Sequence, residues 1–192
     1  MTDPFAEALN LIASVFGRLG IRYAIGGSLA SSTRGIWRST MYLDLIASIA
    51  PAQVARLVEV LGPAWYADAG MIRESIGSGR PFNIIHIASA QKIDIFPATE
   101  AFHNAQLDRA SPAKVGSEGV LCPVTTAEDI LLAKLRWYRA GGEVSDRQWG
   151  DVTGILATNP NFDFTYARSW AARLEVEDLL DRAIADIARD NA

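Results

Sequence analysis

A chain of 192 residues with 49% hydrophobic content can bury one good core, or one α/β domain with a helical extension. Eighteen basic against twenty-two acidic residues leave a net charge of −4, which argues against a bulk electrostatic grip on nucleic acid and leaves only a local basic cleft for that purpose. The single cysteine, Cys122, excludes an internal disulfide and a cysteine metal cluster, and no uncharged stretch, Leu45 to Val54 included, is long enough for a membrane span.

The periodicity of Phe5, Leu9, Ile12, Val15, Phe16 and Leu19 predicts a helix over 4–19 ended by Gly20. Asp3 and Glu7 flank this amphipathic opening, so it does not read as a signal peptide, and a cytoplasmic location is expected. Arg22 to Gly26 and Met41 to Ile49 read as strands, with a short helix from Ser28 to Arg34 between them. Pro51 to Leu61 is amphipathic, with Pro51 suited to a first helical turn, and a further helix is expected from Ala69 to Ile76. Phe82 to Ile87 and Gln91 to Phe96 form a hairpin around Ala88-Ser89-Ala90.

After Pro123 the pattern becomes helical throughout. Thr125-x-x-Glu128 reads as a capping box opening a helix to about Ala140, stopped by Gly141-Gly142. Ser145-x-x-Gln148 opens a second helix to about Ala157, and Phe164 to Leu174 and Val176 to Ala188 follow. The expected organisation is an α/β half over 1–110, a linker over 111–123 with two prolines and two glycines, and a helical half over 124–192.

Chemistry concentrates between Gly26 and Leu45. A short apolar strand meets Gly26-Gly27-Ser28, then Arg38-x-Thr40, then a strand carrying Asp44, while Lys92-Ile93-Asp94 places a second carboxylate on a later strand. A glycine turn lets backbone amides approach a phosphate, and strand-borne carboxylates suit a hard divalent cation. Positions two apart share a strand face, so residues 42 and 44 point the same way, and Ile93 and Ile95 facing inward leave Asp94 toward a cleft. Arg38 and Lys92 are candidate partners for phosphate or carboxylate. His86 reads equally as a half-buried strand histidine or a catalytic one, and His103 belongs to no constellation. In the helical half, Lys134 and Tyr138 share a helix face. Trp137 and Trp149 fit core positions better than a stacking platform for a base.

These motifs resemble the bacterial nucleotidyltransferases of the DNA polymerase β superfamily, whose pattern is Gly-Ser, then Asp-x-Asp, then a third Asp on a later strand. The resemblance runs from about Phe5 to Ala188 and extends, more loosely, to AbiEii-type abortive-infection toxins, although Arg147-Gln148 stands where those tend to have Lys-Asp. It implies a mixed sheet of about four to five strands with a C-terminal helical bundle, Mg²⁺ on Asp44 and Asp94, and a nucleoside triphosphate at Gly27, Ser28 and Arg38. Lys134, Tyr138 and Asp151 would complete the nucleotide site across the domain cleft, with Asp94, Asp44 and Lys134 catalytic. The implied acceptor is a hydroxyl of a tRNA end, a protein or a small molecule, and a toxin role would add an antitoxin partner.

One departure counts against full activity. Tyr42 stands where the first metal Asp should be, and a neutral phenol is a poor Mg²⁺ ligand. Either the chain is a degenerate member that binds nucleotide or a partner without chemistry, or it lost activity recently through a single-base Asp-to-Tyr change.

Overall fold

The computed structural model describes residues 4–27, 43–116 and 118–190. The chain divides into two compact units, one ending at Thr125 and the other beginning the helical run at Thr126. In the first, helix α1 (Pro4–Leu19) leads into strand β1 (Arg22–Ile25). Strand β2 (Leu43–Ser48) is followed by a 3₁₀ turn at Pro51–Gln53, helix α2 (Val54–Leu61), the short strand β3 (Trp65–Tyr66) and helix α3 (Ala69–Ser78). The hairpin β4 (Phe82–His86) and β5 (Gln91–Pro97) precedes helix α4 (Ala101–Arg109) and a second hairpin, β6 (Ser111–Val115) and β7 (Val120–Val124).

Among the described residues the strands form one mixed sheet of seven, ordered β3-β4-β5-β2-β1-β7-β6. Strand β2 runs parallel to β5 and antiparallel to β1, and β1 runs parallel to β7. Strict alternation separates the two faces. Leu43, Leu45, Ile84, Ile93, Ile95, Ile25 and Val124 are fully buried on one face, as are Leu9, Ile12 and Phe16 of α1. The opposite face carries a smaller apolar patch, in which Ala24, Ile46 and Leu107 of α4 cluster with Phe96, Ala98 and Ala110.

The second unit holds helices α5 (Ala127–Ala140), α6 (Asp146–Thr158), α7 (Phe164–Arg173) and α8 (Glu177–Asp190). Ser145 opens α6 by accepting from the Gln148 amide at 3.3 Å, as the sequence pattern anticipates. The start of α5 differs from expectation. Thr126 caps it through the Asp129 amide, while the buried Thr125 donates its hydroxyl to the Ile25 carbonyl at 3.2 Å.

Two other expectations change. The stretch 111–123, expected as a linker, is a hairpin whose strand β7 pairs with β1. Its prolines lie within the ladder opposite each other, Pro112 against Pro123, on strands at the end of the sheet order, where a missing amide donor is tolerated. This hairpin and the two-residue β3 raise the strand count above the expected four to five. Helix α4 carries no sequence periodicity worth the name, since only Phe102, Gln106 and Leu107 are buried along it.

Asp129 is fully buried in α5, where its two oxygens accept from the Tyr166 hydroxyl at 2.7 Å and the Thr126 hydroxyl at 3.0 Å. Its neighbour Glu128 accepts from the Asp163 amide at 3.0 Å, so paired acids fasten the start of α7. Removing the tyrosyl donor takes a charge-assisted hydrogen bond from a buried carboxylate. Tyr166→Phe should therefore cost about 1.5–3 kcal/mol, which denaturant titration of the helical unit will measure.

Cys122 is buried beside Tyr23, and burial pushes its thiol above the ordinary range, although the hydrogen bond with Tyr23 pulls the other way. Burial likewise raises the Tyr23 phenol, reinforced by Cys122. Both groups hold their protons longer when folded, so their stabilisation is complete below the unfolded thiol's pKa of about 8.5 and falls as pH rises beyond it. Cys122→Ala should flatten the loss of stability above about pH 8.5, and the native thiol should ignore a thiol reagent that labels the unfolded chain at once.

Candidate active site

Strands β2 and β5 bring the two carboxylates together. Asp44 and Asp94 are register partners in the parallel pair, so both stand on the same face, one interstrand step apart. Asp94 keeps 23% of its side-chain surface exposed, and its Oδ1 accepts from the Lys92 ammonium at 2.8 Å. Lys92 precedes it by two positions on the same face.

The glycine turn is built around Asp44. Gly26 donates its amide to the Asp44 carbonyl at 2.9 Å. Gly27 has φ +59°, and a Cβ there would fall 1.9 Å from Asp44 Oδ2 and 2.7 Å from its Cγ. The carboxylate thus occupies the volume that any side chain at 27 would claim. At Gly26 an added Cβ would meet only Ile46 at 3.7 Å, so glycine is demanded at the second position of the turn and not the first.

The next residue outward on β4 is Asn83, register partner of Asp94, which places a carboxamide in the same lateral row as the two carboxylates. Sequence reasoning passed over Asn83, although the Phe82-Asn83-Ile84 alternation marks it as facing away from the core. His86 belongs to the other face. It is buried, its ring lies 5.0 Å from Trp65, and Nδ1 pairs with the Ser89 hydroxyl at 2.8 Å, which ties it to the hairpin turn.

In the helical unit, Lys134 and Asp151 pair at 3.0 Å with 15% and 17% of their side chains exposed. Tyr138 is buried and donates its hydroxyl to the Glu143 carbonyl at 2.6 Å. Trp149 packs 5.1 Å from the Tyr138 ring, carries the Arg182 guanidinium 4.2 Å from its centroid, and donates its indole N–H to Asp186. Both rings are thus committed to joining α5, α6 and α8. Neither tryptophan is the fully buried core residue the spacing predicts: Trp149 is half-buried in these contacts and Trp137 is largely exposed. Ser28, Arg38, Thr40 and Tyr42 lie outside the described residues.

No protein-family model matches the chain, and no curated protein matches it. Solved structures do. The solution structure of the antibiotic-resistance factor ANT(2″)-Ia is similar with a TM-score of 0.50 at 15% identity, covering 97% of this chain and 96% of that one. The crystal structure of ANT(2″)-Ia in complex with adenylyl-2″-tobramycin gives a TM-score of 0.52 at 14% identity, over 88% of this chain and 96% of that one. The fold is nucleotidyltransferase-like. The lincomycin-bound lincosamide antibiotic adenylyltransferase LnuA is a further similar structure, with a TM-score of 0.47 at 13% identity over 79% of this chain and 96% of that one.

Proposed function

We propose that this chain is a nucleotidyltransferase-type protein that binds a nucleoside triphosphate with Mg²⁺ and directs the nucleoside monophosphate to a hydroxyl acceptor. The observation that carries this reading is the Asp44–Asp94 pair, in register on adjacent parallel strands, with Asp44 packed onto the positive-φ glycine of the turn. The donor set fits Mg²⁺. This ion is held in such sites by one or two carboxylates, with waters and substrate phosphates filling its other positions, and Asp44 and Asp94 supply two half-buried carboxylates on one face. When bound, the ion would neutralise phosphate charge and polarise the reacting phosphoryl group.

The chain's own groups act around it. The Gly27 amide would face the phosphates, and the absence of a side chain there lets the backbone approach closely. Asp94 accepts the acceptor's proton as its oxygen bonds to the α-phosphorus, and the bond to the bridging oxygen breaks to release pyrophosphate. Lys92, bonded to one oxygen of Asp94, fixes the carboxylate's rotamer and balances its charge between turnovers. Lys134, oriented by Asp151, is the nucleotide-binding candidate of the helical unit.

ANT(2″)-Ia was captured with an adenylylated antibiotic, adenylyl-2″-tobramycin. That favours a small-molecule hydroxyl over tRNA, protein or a toxin's target. The net charge of −4 agrees with it. A catalytically silent nucleotide-binding module is the second reading, and Tyr42 in place of a metal Asp favours it.

Calorimetric titration with each of the four nucleoside triphosphates plus Mg²⁺ is the test, run on the native chain and on Ser28→Trp. The native chain should bind at least one of them, and the bulky indole should abolish that binding. Equal binding by both proteins would put the nucleotide elsewhere.

A further inference from the structure

We infer that the β3–β4 rim of the sheet is the acceptor subsite, and that it takes a polyhydroxylated molecule with an apolar ring face. This inference rests on the proposed transfer to a hydroxyl and names where and what the acceptor is. Two lateral rows of the face that carries Asp44 and Asp94 converge there. The first row is Asn83, Asp94 and Asp44, and the second is Tyr66, Ile85 and Lys92, each set joined by strand register. Directly opposed residues on paired strands stand on one face with Cβ atoms about 4.5–5.5 Å apart. A ligand resting on Tyr66 and Ile85 therefore lies beside Asn83 and within a side chain's reach of Asp94.

Tyr66 is presented there by a built support. Its neighbour Trp65 points to the opposite face, is buried and packs against His86. The Ile87 amide donates to the Ala64 carbonyl at 2.9 Å, and Asp68 caps α3 immediately beyond. On this anchored edge Tyr66 keeps 56% of its surface exposed and Ile87 keeps 60%, which is a high exposure for large apolar side chains. A ring face of a sugar or similar scaffold would cover them.

Polarity decides the rest. No other described residue bonds the Asn83 carboxamide, which can accept from one acceptor hydroxyl and donate to another. That hydroxyl is then held next to Asp94, the proton acceptor of the proposed transfer. The Lys92 ammonium in the second row is compensated by Asp94 at 2.8 Å, so the rim selects its ligand by hydrogen bonding and apolar contact.

The experiment is an NMR titration of the isotope-labelled full chain with phenyl β-glucoside and, separately, with lincomycin. Both probes should shift the Asn83 side-chain amide, the Ile85 methyls and the Tyr66 ring. Tyr66→Ala and Asn83→Ala should each weaken that binding about fivefold to tenfold, and Tyr66→Ala should leave Mg²⁺–triphosphate binding unchanged. Unshifted rim signals, or affinities unaltered in both variants, would overturn the subsite. Failure to bind any triphosphate would instead strike at the proposed transfer itself, because that measurement does not involve the rim.

Discussion

Replacing Gly27 by alanine should destabilise the α/β unit by about 3 kcal/mol or more, a drop of roughly 6–12 °C in its unfolding midpoint for a chain of this size. Two independent costs add at this position. A left-handed backbone costs a non-glycine residue about 1–2 kcal/mol. The new methyl would also lie 1.9 Å from Asp44 Oδ2, a separation that cannot exist, so strand β2 or the turn has to move. The two costs can be separated with a double-mutant cycle. Asp44→Ala removes the carboxylate and leaves only its Cβ, 2.9 Å from the added methyl, so the same glycine change should cost markedly less in that background. Equal losses in both backgrounds, measured by thermal and urea unfolding, would mean that backbone strain alone accounts for the glycine. The coupling carries a functional corollary. The turn proposed for phosphate and the carboxylate proposed for metal are sterically one object, so a disturbance of either displaces the other.

What the sequence disclosed and what it withheld follow from the range of each signal. Helices α1, α5 and α6 were legible because their apolar residues recur at helical spacing and end at Gly20, at Gly141 and Gly142, or at Asn159. The placement of Asp94 was legible too, since the buried Ile93 and Ile95 bracket it and period-two alternation settles its face. Hairpin β6–β7 was not. Its prolines and glycines are loop-like by local rule, and only pairing with the distant β1 makes a strand of it. Helix α4 was missed for a similar reason, as it covers a narrow patch around Ile46 and needs few apolar residues to do so. Nor could sequence spacing show that Asn83 lies beside Asp94, because that neighbourhood is set by hairpin register. Within the helical unit, the resemblance assigned Tyr138 to the nucleotide. The structure finds its ring against Trp149 and its hydroxyl on Glu143, two contacts that a motif cannot report.

Tyr42→Asp should raise nucleotide transfer on the order of a thousandfold, equivalent to about 4 kcal/mol of transition-state stabilisation. The reason is chemical and local. Aspartate would supply an anionic oxygen two positions before Asp44 on the same chain segment, where tyrosine offers a neutral phenol that divalent magnesium does not prefer. Every other part of the motif is in place: Gly26-Gly27-Ser28, Arg38-x-Thr40, Asp44 and Lys92-x-Asp94. A labelled triphosphate incubated with Mg²⁺ and, in separate reactions, lincomycin, total cellular RNA or protein will show the gain and which acceptor receives it. Tyr42→Phe is the control for bulk and should gain nothing. Adding Asp94→Asn to Tyr42→Asp should return transfer to the starting level, since the proton acceptor is then lost while the turn is untouched. A Tyr42→Asp chain that binds Mg²⁺ and triphosphate normally yet labels no acceptor would sink the recent-loss explanation, and the nucleotide-binding module would then be the better reading. The same outcome would leave the fold and the Gly27–Asp44 coupling intact, because neither depends on turnover.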